Sequence, residues 1–418
     1  MNMDFKSQIK LALSTERMRL LHLVTDEATE RGLPLYIVGG SVRDLVLGRR
    51  LNDFDLTVEG DAIALARSLA SKHGGRVTAH PKFGTAKWFL PNNLKTDAEA
   101  HDTLDIVSAR SETYKHPGAL PSIKLGSIDD DIHRRDFTIN ALAIRLDGSH
   151  FGELRDDLNG MEDVQKGIVR VLHPRSLVDD PTRMYRAVRY EKRHQFKIAE
   201  DTLALIREAR SFVEKLSAQR IRHELDLILE EPNAVSMLER LDELDLLAPI
   251  HPALSNFHQS NLATLKPEDA SAQNGLSRWI LWLMHLSEQE IEFVNARLHF
   301  TADLLKLLRS AASLNTDLTA VLGLKPSQCV QLLEGYSWRA LETVYPVIAN
   351  QEIKNQLSKY LSEWRHVKPK TTGHDLKKHG VKPGPKYAEI LRRLRDAWLD
   401  GEIKTEAEEL TMLASLIR

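Results

Sequence analysis

The feature that most constrains this chain is a single change of periodicity near residue 175. Before it, short β-branched or alternating runs (LYIV, FDLTV, AKWFL, LDIVSAR, LAIRL, IVRVL) are interleaved with helical stretches such as DAIALARSLASKHGG. That alternation reads as α/β. After it, AEDTLALIREARSFVEKLSAQRIRHELDLILEE, AVSMLERLDELDLL and EQEIEFVNARLHF carry apolar residues at three- and four-residue spacing, broken by Pro or Gly. The rest therefore reads as all-helical. With 418 residues, 42% of them hydrophobic, the chain can bury a sizeable core and exceeds one ordinary compact unit. Two to four domains are expected. The one cysteine, Cys329, excludes an intramolecular disulfide framework and a multi-cysteine zinc site, and favours a reducing compartment. No run approaches the roughly 18 apolar residues of a membrane span. The start, MNMDFKSQIKLALSTERMRLL, is amphipathic and charged rather than signal-like. A cytoplasmic protein with no membrane association is the expectation.

The first chemical signal is LYIVGGSVRDLVLG (35–48), an apolar strand running through Gly39 and Gly40 into a helix. Paired glycines let the backbone approach an anion closely, and the following helix N-terminus favours negative charge, so the junction suits phosphate. An ordinary tight turn is the plain alternative. In LNDFDLTVEG, Asp53 and Asp55 lie two apart in a strand pattern and leave the same face. Such a repelling pair becomes favourable when a divalent cation bridges it, and carboxylates with two Mg²⁺ ions commonly serve in-line attack on phosphorus. A solvated pair is the alternative for Asp53 and Asp55 taken alone, but their place soon after the paired glycines makes the combination far more specific. Asp105, in the alternating strand LDIVSAR, is a candidate third acid or else an edge-strand carboxylate. In DIHRRDFTINALAI, Arg134 and Arg135 could neutralise a triphosphate as planar donors, and Asp136 could accept from ribose hydroxyls. A capping Asp with exposed arginines fits that stretch equally, and Asn140 follows as a buried-looking amide.

Taken together, VGGSVRDLVLG, NDFDLTVEG, ARSETYKHPGALP, HRRDFTINALAI, DDPTRMYRAVRY and AQRIRHEL resemble, in order, the class II tRNA nucleotidyltransferases: the CCA-adding enzymes and their bacterial poly(A) polymerase relatives. The likeness covers roughly residues 35–230. It implies a polymerase-β-like nucleotidyltransferase head of α/β (α+β) type over 1–150, followed by an all-α neck (151–235), body (236–350) and basic tail (351–418). It implies catalytic carboxylates Asp53, Asp55 and Asp105, with Asp53 and Asp55 holding Mg²⁺. Gly39, Gly40, Arg43, Arg134, Arg135, Asn140 and Arg186 would face the triphosphate, Asp136 the ribose, and Asp180 with Arg183 the base. The implied reaction adds CMP and AMP from CTP and ATP to a tRNA 3′ end without a template, releasing pyrophosphate. Asp179 stands where the family's base-selecting motif usually has Glu.

The base-reading role has a reason of its own. Cytosine presents its N4 amino donor beside the N3 acceptor, and adenine presents N6 beside N1 in the same order. A carboxylate that accepts and a guanidinium that donates complement both. Uracil and guanine reverse the pattern, leaving a group unpaired at about 1–3 kcal/mol each. Residues three apart on a helix are neighbours, so Asp180 and Arg183 can present one edge together. DDP before a helical pattern is also a helix start, with Asp180 as N-cap, and both roles are compatible. Arg189 reads as structural.

Net charge is −2, yet between Lys354 and Arg395 twelve Lys or Arg face three Asp or Glu. That tail suits phosphate contact at the tRNA elbow, or is simply a solvated face. Its segment 365–389 has the Pro, Gly and Lys content of a linker or binding loop. His251 and His258 lack the His-Asp pairing of a metal phosphohydrolase. Two alternatives stand beside CCA addition. One is a specialised CC-adding, A-adding or poly(A)-adding enzyme, a choice depending partly on the loop 106–133. The other is a non-catalytic RNA-binding protein, which intact Asp53 and Asp55 argue against.

Overall fold

A computed structural model describes residues 3–51, 53–95, 102–255, 262 and 275–417. His258 lies outside them. The chain divides into two compact units, one formed by 1–225 with 243–250, the other by 226–242 with 251–418.

The first unit is built on a mixed sheet. Its strands are β1 (Leu35–Val38), β2 (Leu56–Val58), β3 (Arg76–His80), β4 (Thr85–Phe89), β5 (Thr103–Ser108), β8 (Ala143–Arg145) and β9 (Glu153–Arg155). They lie in the order β3-β4-β5-β2-β1-β8-β9. Strands β2 and β5 are parallel, Leu56 opposite Ile106, and the other neighbours are antiparallel. The central strands β1 and β2 are buried along their whole length, which is why they read as apolar runs rather than alternating ones. Strands β4 and β5 alternate, as a half-covered face requires. Two further strands, β6 (Arg110–Thr113) and β7 (Ser122–Leu125), form a separate hairpin.

Helices fix the approach to this sheet. Helix Ala62–His73 starts where the Asp61 carboxylate accepts from the N–H of Ile63 and Ala64, and ends at Gly74, whose φ of +87° suits glycine. Helix Ile128–His133 begins with a capping box between Ser127 and Asp130 and packs Ile128 and Ile132 against Tyr36, Val38, Ala141 and Ala143. This packing aims the following arginines across the C-terminal end of β1. The mixed-sheet head and the helical body match the expectation from periodicity, except that Lys197–Ile198, in the stretch expected to be all-helical, pairs in parallel with Ile168–Val169.

The second unit is helical among its described residues, from Gly275–Leu283 to Glu406–Ile417. Among all described residues, no helix is long and apolar enough to cross a membrane. The basic tail is not the loose connection its composition suggested. Within 365–389 a capped helix runs from Gly373 to Lys378, and Pro385 opens another that reaches Leu399. Leu376, Val381, Ile390, Leu394 and Leu413 form a buried cluster there. Buried Glu409 accepts from the N–H of Lys370 (3.0 Å) and Thr371 (2.6 Å), from the Thr371 hydroxyl (2.5 Å) and from the Trp398 indole. Lysine and glycine content predicted the exposure but missed this apolar spacing.

Candidate active site

Strand β1 runs into Gly39, whose φ of +68° disfavours a side chain and where a Cβ would meet the Arg135 guanidinium. Helix Gly40–Val46 follows at once. The two motifs expected to meet do so through one backbone–backbone bond and one bond from backbone to side chain. The Val38 N–H donates to the Asp55 carbonyl (3.2 Å), and the Asp55 N–H donates to Ser41 Oγ (3.3 Å). Asp53 and Asp55 precede β2 rather than lying inside it, because pairing with β1 begins only at Leu56. Exposure still alternates, with Asp53 and Asp55 open and Phe54 buried between them, so the carboxylates share a face. Asp53 also lies 3.9 Å from the buried Arg17.

Asp105 sits on interior strand β5, flanked by β4 and β2, which removes the edge-strand alternative. Its Oδ2 is 3.3 Å from Lys87 Nζ, while its Oδ1 is buried without a hydrogen-bond partner. Although Asp55 is open to solvent on one side, the protein atoms packed around it first, and then the charge on Asp53, hold its carboxyl above the ordinary carboxylate range. Asp105 adds to this and Arg135 opposes it. Among the described residues no group of three or more His, Cys, Asp or Glu side chains is placed so that it could hold a metal ion by itself. An open set of crowded carboxylate oxygens fits a hard divalent cation that shares phosphate oxygens.

Beside the carboxylates opens a cleft of about 380 Å³ lined by six arginines (43, 134, 135, 183, 186 and 193) and four carboxylates (Asp55, Glu112, Asp136 and Asp180). Its surplus of positive charge suits an anion such as a triphosphate. A continuous bonded chain forms one wall. Arg43 donates to Asn140 Oδ1 (2.7 Å), Asn140 Nδ2 donates to Asp136 Oδ1 (3.0 Å), and Asp136 Oδ2 receives both Nε (2.8 Å) and Nη2 (2.5 Å) of Arg186. Burial pushes the Asp136 carboxyl up, but Arg186, Asn140 and Arg183 together hold it below its usual value.

Arg134 and Arg135 are not the exposed pair that a simple cap would leave. Asp131, fully buried, takes Arg134 on Oδ1 (2.6 Å) and Arg135 on Oδ2 (2.7 Å). Glu112 on β6 takes Arg134 (3.0 Å), Arg110 (3.2 Å) and the Tyr114 hydroxyl (3.2 Å). The Tyr114 phenol is pushed up to about 12, by burial first and then by Glu112 and Asp180 against the opposing Arg183. Asp131 was legible only as part of an acidic run, although its spacing to Arg134 and Arg135 is that of helical ion pairs. Glu112 and Tyr114 lay within a quoted motif without a role, and Tyr190 and Arg193 also line the cleft.

Asp180 and Arg183 line the same cleft. Asp180 Oδ1 accepts from the Thr182 N–H (3.0 Å), so the carboxylate caps helix Thr182–His194 while lining the cleft. Arg183 donates to Ser176 Oγ and to the Arg134 carbonyl (2.8 Å). Arg189 is not among the residues lining the cleft and lies 3.4 Å from Glu224.

Fold and site define a nucleotidyltransferase: a mixed-sheet head with crowded carboxylates beside a glycine turn and an arginine-lined cleft. A Poly A polymerase head domain description matches residues 35–170. One for a probable RNA and SrmB-binding site of polymerase A matches 195–257. The A-adding tRNA nucleotidyltransferase of Halalkalibacterium halodurans is 33% identical, across 95% of this chain and 92% of that one. The Geobacter sulfurreducens protein of the same name is 34% identical across 93% of this chain, which spans only 46% of that relative's length. A solved CCA-adding enzyme, apo form II, superposes with a TM-score of 0.82 at 29% identity over 99% of each chain. The Thermotoga maritima CCA-adding enzyme complexed with tRNA gives 0.78 at 28% identity, over 100% of this chain and 99% of that one. The chain belongs to the tRNA nucleotidyltransferase family, whose members depend on a divalent metal.

Proposed function

We propose that this protein is a cytoplasmic, Mg²⁺-dependent tRNA nucleotidyltransferase that adds CMP and AMP from CTP and ATP to the tRNA 3′ end, releasing pyrophosphate. The observation that carries this reading is one arginine-lined cleft whose wall includes Gly40 of the glycine turn, the Asp55 carboxylate and the Asp180–Arg183 pair together. A nucleotide lying along it would have its base read by protein, which removes the need for a template. Residues 1–150 act as the head, 151–235 as the neck, 236–350 as the body and 351–418 as the tail, which meets the tRNA elbow.

Asp53 and Asp55, with Asp105 beside them, are the residues that would hold Mg²⁺. Bound there, the ion would acidify the attacking 3′-hydroxyl and neutralise charge developing on the phosphates. Gly39 and Gly40 bring backbone close to the triphosphate, while Arg43, Arg134, Arg135 and Arg186 supply positive charge from fixed positions. Asn140 holds Arg43 in line with Asp136. Asp136 anchors Arg186 and would share its remaining lone pairs with a ribose hydroxyl. Asp180 accepts from the base amino group, and Arg183 donates to the ring nitrogen.

A second reading, addition of the terminal A alone, is favoured by relatives of that name that are 32–34% identical. The relatives named CCA-adding enzyme are 24–29% identical. The decisive assay supplies labelled CTP or ATP separately to tRNAs ending before C74, C75 and A76. Use of both nucleotides is expected. ATP use alone selects the second reading, and incorporation of neither rejects nucleotidyl transfer to tRNA.

A further inference from the structure

AQRIRHEL, the last of the ordered motifs, has no role in the site as described so far. Its Arg220 opens helix Ala218–Glu230 and reaches the base-reading pair in the cleft. Nη2 lies 2.6 Å from Asp180 Oδ1 and 3.4 Å from the Thr182 hydroxyl. Nη1 donates to the carbonyl of Gly118 (3.0 Å), at the middle of the connection between β6 and β7.

Gly118 is itself closely seated. Its φ is +72°, and a Cβ there would lie 3.1 Å from the Lys215 carbonyl oxygen, in the turn just before the Arg220 helix. Its N–H approaches the Asp179 carbonyl (3.4 Å). The planar guanidinium therefore spans two acceptors with different parallel N–H groups, a geometry that a lysine ammonium cannot reproduce.

The bonds to Asp180 all end on one oxygen: the Thr182 N–H, the Thr182 hydroxyl (2.6 Å) and Arg220 each meet Oδ1. Oδ2 is left as the oxygen that can accept from a nucleobase amino group. A carboxylate tied by short local bonds alone can still turn about its terminal torsion. Tied from a third direction by Arg220, it presents a fixed acceptor beside Arg183.

We propose that Arg220 is a positioning residue for base selection: it fixes the Asp180 carboxylate and gears it to the connection that carries Gly118. The inference rests on the base-reading role given to Asp180 and Arg183. Displacing that connection would pull on the same guanidinium that orients the acceptor, giving the cleft a mechanical link between a neighbouring segment and the base it accepts.

The test measures kcat/KM for CTP, ATP, UTP and GTP on tRNAs lacking terminal nucleotides, with wild type, Arg220→Gln, Arg220→Lys, Asp180→Ala and the double variant Asp180→Ala/Arg220→Gln. Discrimination against UTP and GTP should fall about tenfold in Arg220→Gln, the effect of one mispaired buried group. It should fall less in Arg220→Lys, and no further in the double variant than in Asp180→Ala alone. A purely structural role would lower all four rates in proportion, and that result overturns the proposal. So does discrimination within twofold of wild type, or additive losses in the double variant. If Arg220→Gln does not fold, Arg220→Lys decides by the same ratio. Wild type that incorporates neither CMP nor AMP removes the base-reading function itself, a failure distinct from an Arg220 variant that discriminates normally.

Discussion

Asp55 carries electrostatic tension in the cleft, because the protein atoms packed around it and the Asp53 charge both disfavour its ionised form. A carboxyl with a raised pKa stabilises the fold most when protonated. Without metal, its contribution is full below the ordinary carboxylate value of 3.8 and is lost as pH rises through the raised value. A divalent ion should relieve that repulsion. Addition of Mg²⁺ to chelator-treated protein at neutral pH should raise Tm in wild type, and the rise should vanish in Asp53→Asn and Asp55→Asn, as calorimetry would show. Turnover in either variant should fall on the order of a thousandfold, since several kcal/mol of charge stabilisation is removed. The Asp136–Arg186 pair behaves oppositely. Asp136 is nearly buried, and Arg186 is partly exposed. Arg186→Met strands a buried carboxylate, so denaturant unfolding should show a loss of about 3 kcal/mol, the low end for a broken buried pair. Adding Asp136→Asn should recover much of it. A full loss retained in the double variant would mean that the pair is not what stabilises this wall.

How elements meet explains what could be read in advance. Asp53, Asp55, Gly39 and Gly40 were legible because strand period and turn chemistry are local properties, and strand-turn-helix order brings them together through bonds donated by backbone N–H groups. Asp131, Glu112 and Arg220 were not, because each acquires its role from a partner on another element or from burial. Glu112 meets Arg134 across 22 positions, and Arg220 meets Asp180 across 40. The tail shows the same limit, since Glu409 looks like one more surface acid in EAEEL until the fold buries it beneath Lys370 and Thr371. Burial pushes its carboxyl up, and bonds from Thr371, Trp398 and Lys370 more than offset this, leaving it below its ordinary value of 4.5. Its contribution to stability is therefore present above 4.5 and lost as pH falls through the lowered value. Glu409→Gln turns two donors towards donors already in place. It should cost the tail about 1–3 kcal/mol and flatten this acid dependence. Hydrogen exchange at the Thr371 amide is the local readout, and unchanged protection there would exclude Glu409 as the tie.

For the whole molecule, a net charge of −2 means that attraction to RNA cannot come from overall charge. Under the proposed function it would come from local fields: the arginine cleft in one compact unit and the basic stretch between Lys354 and Arg395 in the other. These two fields have different chemistry. Asp131, Glu112 and Asp136 engage several cleft arginines, which fixes them for one anion of defined shape. In the tail, Lys377, Lys382 and Lys386 are exposed side chains over the apolar cluster of Leu376 and Leu394. Exposed lysines bind phosphate through displaced counterions, so their contribution must fall with ionic strength. Replacing all three with Ala should reduce the slope of log affinity for tRNA against log salt by roughly one for each lost phosphate contact. The same variant should keep its preference among nucleotides if, as proposed, Asp180 and Arg183 make the base choice. Filter binding across a salt series, paired with single-nucleotide incorporation, separates the two fields. An unchanged slope would take these lysines out of the tRNA contact, and altered nucleotide preference would show that the tail takes part in base choice.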